Sequence, residues 1–228
     1  MFKNKLSICL KLIFVLAIAS TLFSCKSQST NLETLDPNLY DQSWLTGKPC
    51  AAPCWYGLEP GVSSLQKSVS TVKQLPFISG EIAALTNSRE VSFSCRKPQD
   101  FDCVYMAFKN DKLEVLDFSP NYQITFEQAV EKLGSPDGFS VHLNSGDVAS
   151  CELQVIWRNR SLVLQYDTGL LPIISFGSNT NADLCDDEGK RPLPKGILVQ
   201  YVKIMLPSEI QSMTQGNPDF VPWKGFAK

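Results

Sequence analysis

Twice in this chain a run of apolar residues at helical spacing gives way to strict alternation, and that change of period limits the fold more than any other feature. In the first instance Ser63 and Gln66 form an S-x-x-Q capping signal, Leu65, Val69 and Val72 recur at helical spacing, and Pro76 stops the element. In the second, Thr125 and Gln128 repeat the signal. Phe126, Ala129, Val130 and Leu133 then make an i, i+3, i+4, i+7 stripe, and Gly134 stands where a left-handed C-cap is wanted. These spacings predict one helix over about Ser64 to Gln74 and another opening at Thr125. A third, shorter copy starts at Ser208 with Gln211 and is ended by Gly216 and Pro218.

Between the helices the period is two. Val104 to Phe108 and Leu113 to Phe118 flank Asn110-Asp111, and Leu153 to Trp157 and Leu162 to Tyr166 flank Asn159-Arg160, so each pair reads as a hairpin. Further strand candidates are Ile82 to Leu85, Val91 to Cys95, Phe139 to Leu143 and the long apolar run Ile197 to Leu206. Hairpins with one covering helix bury a single sheet face. The expected class is therefore α+β, two tandem units of one helix packed on an antiparallel β-sheet, over residues 50–124 and 125–228. Val69 and Val130 are expected at equivalent buried places in the two units.

The opening of the chain fixes its compartment. Lys3, Lys5 and Lys11 are followed by the apolar run Leu12 to Phe23, too short for a comfortable membrane span, and Leu22-Phe23-Ser24-Cys25 closes it. That string resembles the lipobox of bacterial lipoproteins, which implies a signal peptide over residues 1–24, cleavage after Ser24, and a lipid anchor on Cys25 carrying diacylglyceryl and palmitate-type chains. The protein is then exported and held on the outer face of a bacterial membrane or on the outer membrane. A plain signal peptide or an uncleaved anchor is the competing reading. Residues 25–49 are polar, without sustained period, and read as a tether.

Loss of the leader leaves 18 basic against 23 acidic residues, a net charge near −5. No run of Lys or Arg with interleaved aromatics is present to neutralise phosphates, which excludes a nucleic-acid role. Six cysteines remain besides Cys9 and Cys25: Cys50, Cys54, Cys95, Cys103, Cys151 and Cys185. In an oxidising compartment an even set reads as disulfides, with fifteen pairings open. Spacing favours Cys50 with Cys54, Cys95 with Cys103, and Cys151 with Cys185. A zinc site competes poorly, because no CxxC occurs and the single histidine, His142, is far from any cysteine pair in sequence.

Two strings resemble known proteins. PCAAPCWYGLEPGVSSL resembles a motif near the mature start of exported bacterial proteins to which no activity attaches. ITFEQAVEKLGSPD, a capped helix ending in Leu-Gly-x-Pro before strands, resembles the helix-to-strand passage of the BamE/SmpA outer-membrane lipoproteins and of the β-lactamase-inhibitor-protein superfamily. The likeness covers Thr125 to Asp137 and, more loosely, Ser63 to Leu75, where Pro76 replaces the Gly-x-Pro ending. It implies a small α+β unit, in tandem in the inhibitors, that binds other proteins through its sheet.

Candidate chemistry is sparse. His142 lies on a predicted strand with no nucleophile elbow beside it, so a structural histidine is the expectation. Asp183, Asp186, Asp187 and Glu188 surround Cys185 without the spacing of a calcium loop, and read as a solvated loop with calcium as the alternative. Glu127 and Glu131 fall on the polar helix face. Trp55 and the tail Phe220 to Phe226 are apolar enough either to pack back on the body or to offer a binding patch. No catalytic residue, cofactor or metal is implied. The leading expectation is a lipid-anchored interaction or assembly protein that holds a protein partner on a sheet face. A small-ligand or envelope-glycan binder, its sheet curved around Trp157 and Tyr166, and a hydrolase assembled only on folding are the alternatives.

Overall fold

A computed structural model describes residues 34–36, 38–83, 89–96, 102–120, 122–145, 149–167 and 192–227. Its strands are β1 (Ile78–Ala83), β2 (Glu90–Cys95), β3 (Asp102–Lys109), β4 (Lys112–Phe118), β5 (Gly138–Ser145), β6 (Ala149–Trp157), β7 (Leu162–Asp167), β8 (Tyr201–Met205) and β9 (Phe220–Pro222). Its helices are α1 (Ser43–Thr46), α2 (Leu65–Val72), α3 (Phe126–Leu133) and α4 (Pro207–Thr214). The strands hydrogen-bond into a single sheet in the order β1-β2-β3-β4-β8-β7-β6-β5-β9.

Local chemistry accounts for the turns and caps. The β3–β4 hairpin turns on Asn110 and Asp111 at φ 52° and 61°, the left-handed pair that a type I′ turn requires. The β6–β7 connection is instead a 3-10 turn over Arg158–Arg160, with Ser161 at φ 48°. In α3 the predicted capping box is complete: Gln128 N donates to Thr125 Oγ1 (3.3 Å), and Thr125 N donates to Gln128 Oε1 (3.0 Å). α2 is capped one residue later than its signal suggested, by Ser64, while Ser63 is buried and accepts from Glu59 N at 3.0 Å. α4 begins with Pro207 at its first position and has no side-chain cap, so Ser208 does not play the predicted part.

The expected α+β class with two tandem helix-on-sheet units is overturned. The molecule is mainly β, with short helices on one continuous antiparallel sheet. The reason is β8. It lies between β4 and β7, where Val202 pairs Phe118 on one side and Leu164 on the other, and Ile204 pairs Leu116 and Leu162. All six side chains are buried, in a main core cluster drawn from both halves of the sequence. Residues Asn31–Lys228 accordingly form one compact unit, not a division at Thr125. The predicted Ile197 to Leu206 strand is shorter than its apolar run, because Ile197 and Val199 turn aside to bond Phe126 N and Ile124 O.

That core lies on one face of the sheet. α3 places Phe126, Ala129 and Leu133 in it, and α2 places Val72, whereas Val69 and Val130, expected to be the buried pair, are half-buried at its margin. Asp41, Ser43, Trp44 and Leu45, from the segment read as a tether, are also buried. Trp55 stacks on Phe118 with ring centroids 5.2 Å apart. The C-terminal tail packs back, as one of the two expectations had it: β9 pairs with β5, and Trp223 and Phe226 meet edge to face against the core.

Candidate functional site

Alternation along the strands sends the other set of side chains to the opposite face. Register then assembles them into rows. One row runs Ser92, Tyr105, Asp117, Lys203, Val163 and Ile156 across β2, β3, β4, β8, β7 and β6. The next runs Tyr201, Gln165, Gln154 and Ser140, and beyond it Asp167, Glu152 and His142 stand side by side. α4 covers the apolar end of this face, where Ile210 packs with Ile156 and Val163 in a second small cluster joined by Met205, Met213 and Phe220. The buried apolar residues of α1, α2 and α3 all belong to the main core on the other side.

The polar part of the face centres on Asp117. Its Oδ2 lies 3.6 Å from Lys203 Nζ, with the two side chains 20% and 25% exposed, while its Oδ1 is buried without a hydrogen-bond partner. Burial pushes the Asp117 carboxyl up to about 6, the Lys203 ammonium opposing the shift and the Glu152 charge adding to it. Gln165, only 7% exposed, likewise holds its Oε1 buried and unpartnered. Gln154 Nε2 donates to Glu152 Oε1 beside it. Tyr105 and Tyr201 flank the pair; burial raises both phenols, helped by Glu90 at Tyr105 and by Asp117 at Tyr201. Tyr105 is 36% exposed, and its ring is open to a visitor. Chemically the face offers carboxylate and amide acceptors between two aromatic rings.

Two predicted disulfides are present, Cys50–Cys54 and Cys95–Cys103, each with Cα atoms 5.6 Å apart. Cys151 is disulfide-bonded too. Its expected partner Cys185, the acidic group Asp183, Asp186, Asp187 and Glu188, and the lipidation candidate Cys25 lie outside the described residues. His142 is half-buried at the sheet margin, its Nδ1 3.6 Å from Asp219 Oδ2. Glu127 is not a simple solvated residue: its Oε1 accepts from Gly196 N at 2.7 Å, and its Oε2 is buried. Glu131 is exposed.

Trp157 and Tyr166 are 2% and 5% exposed and sit in the main core, where Trp157 Nε1 donates to Gly134 O at 2.9 Å. Trp55 is a structural plug: its Nε1 donates to the buried Asp41 Oδ2 at 2.7 Å, and Tyr56 OH and Ser43 N donate to Oδ1. Desolvation holds the Asp41 carboxyl above its ordinary range despite those donors.

Sequence reasoning missed Asp117, Lys203 and Gln165. The alternation of β4, β7 and β8 marks each as pointing away from the core, but a polar residue on an outward strand position ordinarily meets water. Only the non-local register shows that these three converge. Among the described residues no set of three His, Cys, Asp or Glu could hold a metal ion, and no helix is long and apolar enough to cross a membrane. No protein-family model, no curated protein and no solved structure matches the chain.

Proposed function

We propose that this is an extracytoplasmic protein, tethered to a bacterial membrane through lipidated Cys25, that holds a protein partner on the helix-free part of its sheet and catalyses no reaction. The observation that carries the reading is the Asp117 carboxyl with its unpartnered Oδ1 on the face away from the core. A fold that needed only stability would not keep such a group there, since a buried polar atom left unpaired costs about 1–3 kcal/mol. Polar groups held at the expense of stability mark binding surfaces more often than scaffolds. The lipobox, the disulfides and the acidic mature chain fit an exported protein working close to a membrane.

The test is site-specific photo-crosslinking in intact cells. A photo-reactive side chain at Tyr105 should give a discrete crosslinked species, while the same group at the exposed Lys132 of α3 should not. Indistinguishable patterns from the two positions would refute a partner on this face.

A further inference from the structure

We infer that the partner offers a basic polypeptide segment to this face, with an arginine side chain entering between Tyr105 and Tyr201 to donate to Asp117 Oδ1 and Gln165 Oε1. The inference rests on the proposed function and names the chemistry of its partner. Charge is the first argument. Among the described residues Asp117 and Glu152 stand on these rows against Lys203, and one ammonium does not balance two carboxylates.

The second argument is independent of charge. Among the described residues, both buried side-chain atoms that lack a partner on this face, Asp117 Oδ1 and Gln165 Oε1, are acceptors, and Gln165 is neutral and 7% exposed. What they call for is a donor. Lys203 does not serve, since its Nζ is 3.6 Å from the other carboxylate oxygen. A guanidinium presents several N–H groups in one plane and stacks on phenol rings, so it meets the orphan acceptors and the flanking tyrosines together. An ammonium has no plane to stack, and a metal ion finds no set of three ligands among the described residues.

The purified full-length lipoprotein in detergent is titrated with an arginine–glycine repeat peptide and with its citrulline–glycine counterpart of equal length. The arginine peptide should bind at least about tenfold more tightly, the factor expected of one charge-assisted hydrogen bond in a sheltered site. Asp117→Asn should cut that affinity by about tenfold or more, and Tyr105→Ala, at an exposed ring whose loss leaves the core intact, should weaken it as well. Glu131→Gln, on the exposed face of α3, should leave it unchanged. Equal binding of the two peptides, or full affinity in a folded Asp117→Asn protein, would overturn the inference. If Tyr105 still crosslinks a partner in cells while the arginine peptide fails, the inference falls and the proposed function stands. If neither is seen, both fall.

Discussion

Asp117 on β4 and Lys203 on β8 are register partners, and their side chains meet on the sheet face opposite the core with Oδ2 and Nζ 3.6 Å apart. The pair does not compensate the carboxylate fully. Burial still lifts Asp117 from 3.8 to about 6, so the folded protein binds this proton more tightly than the unfolded chain does. The associated stability is complete below about pH 4 and is lost as pH rises through 6. A shift of this size corresponds to about 2–3 kcal/mol. Asp117→Asn should therefore raise stability at pH 7 by about 1–3 kcal/mol and flatten the profile between pH 4 and 6. Urea denaturation across that range checks it, and an unchanged slope with pH would contradict it.

Cys95 ends β2 and Cys103 opens β3, so their bond closes a loop of sequence separation 8. A loop of that length gains about 2–3 kcal/mol from restriction of the unfolded chain. The double replacement Cys95→Ala with Cys103→Ala should lower stability by that amount while leaving far-ultraviolet circular dichroism unaltered. Loss of all structure, or no change in the denaturation midpoint, would count against the estimate.

Gly138 is the place where β9 presses closest on the sheet. A Cβ there would run into Val221 O and lie 2.5 Å from Phe220 Cζ. Gly138→Ala should detach β9 from β5 and free Trp223 from the core margin, with the remaining eight strands still paired. Trypsin cleavage at Lys224 should accelerate, and the tryptophan emission should shift to the red. Resistance equal to the parent would show that β9 can move aside and stay bound.

Cys25→Ser removes the sulfur on which the proposed lipid anchor depends. The protein should then accumulate as unprocessed precursor or leave the detergent phase, and partitioning indifferent to the change would refute the anchor.

Much of the local architecture was legible because local rules govern it. Asn110-Asp111 marked the hairpin turn, Thr125 with Gln128 marked a complete capping box, and the spacing of Cys95 and Cys103 marked their bond. The error lay in extending local order to a global plan. The Ile197 to Leu206 run declares itself a strand, but nothing in it says that it pairs with β4 and β7, because the apolar side chains that decide the pairing, Val202 and Ile204, would suit any two buried neighbours. The convergence of Asp117, Lys203 and Gln165 depends on the same non-local pairing and was hidden with it. Asp41 was hidden differently: a carboxylate in a polar stretch reads as tether until Trp55 is seen to donate to it.

The central position of β8 also sets an order of events as the chain is made. Synthesis delivers the chain from its amino end, so β1 to β4 emerge long before Tyr201 to Met205, and β4 must wait with one backbone edge unpaired until they arrive. Such distant pairing is slow, and an open edge invites pairing with other chains. The bonds at Cys50–Cys54 and Cys95–Cys103 lie wholly within the part that emerges first. Neither bond needs the late strand in order to close, so the early strands can be held ready to receive β8, the strand that locks the two halves of the sheet together.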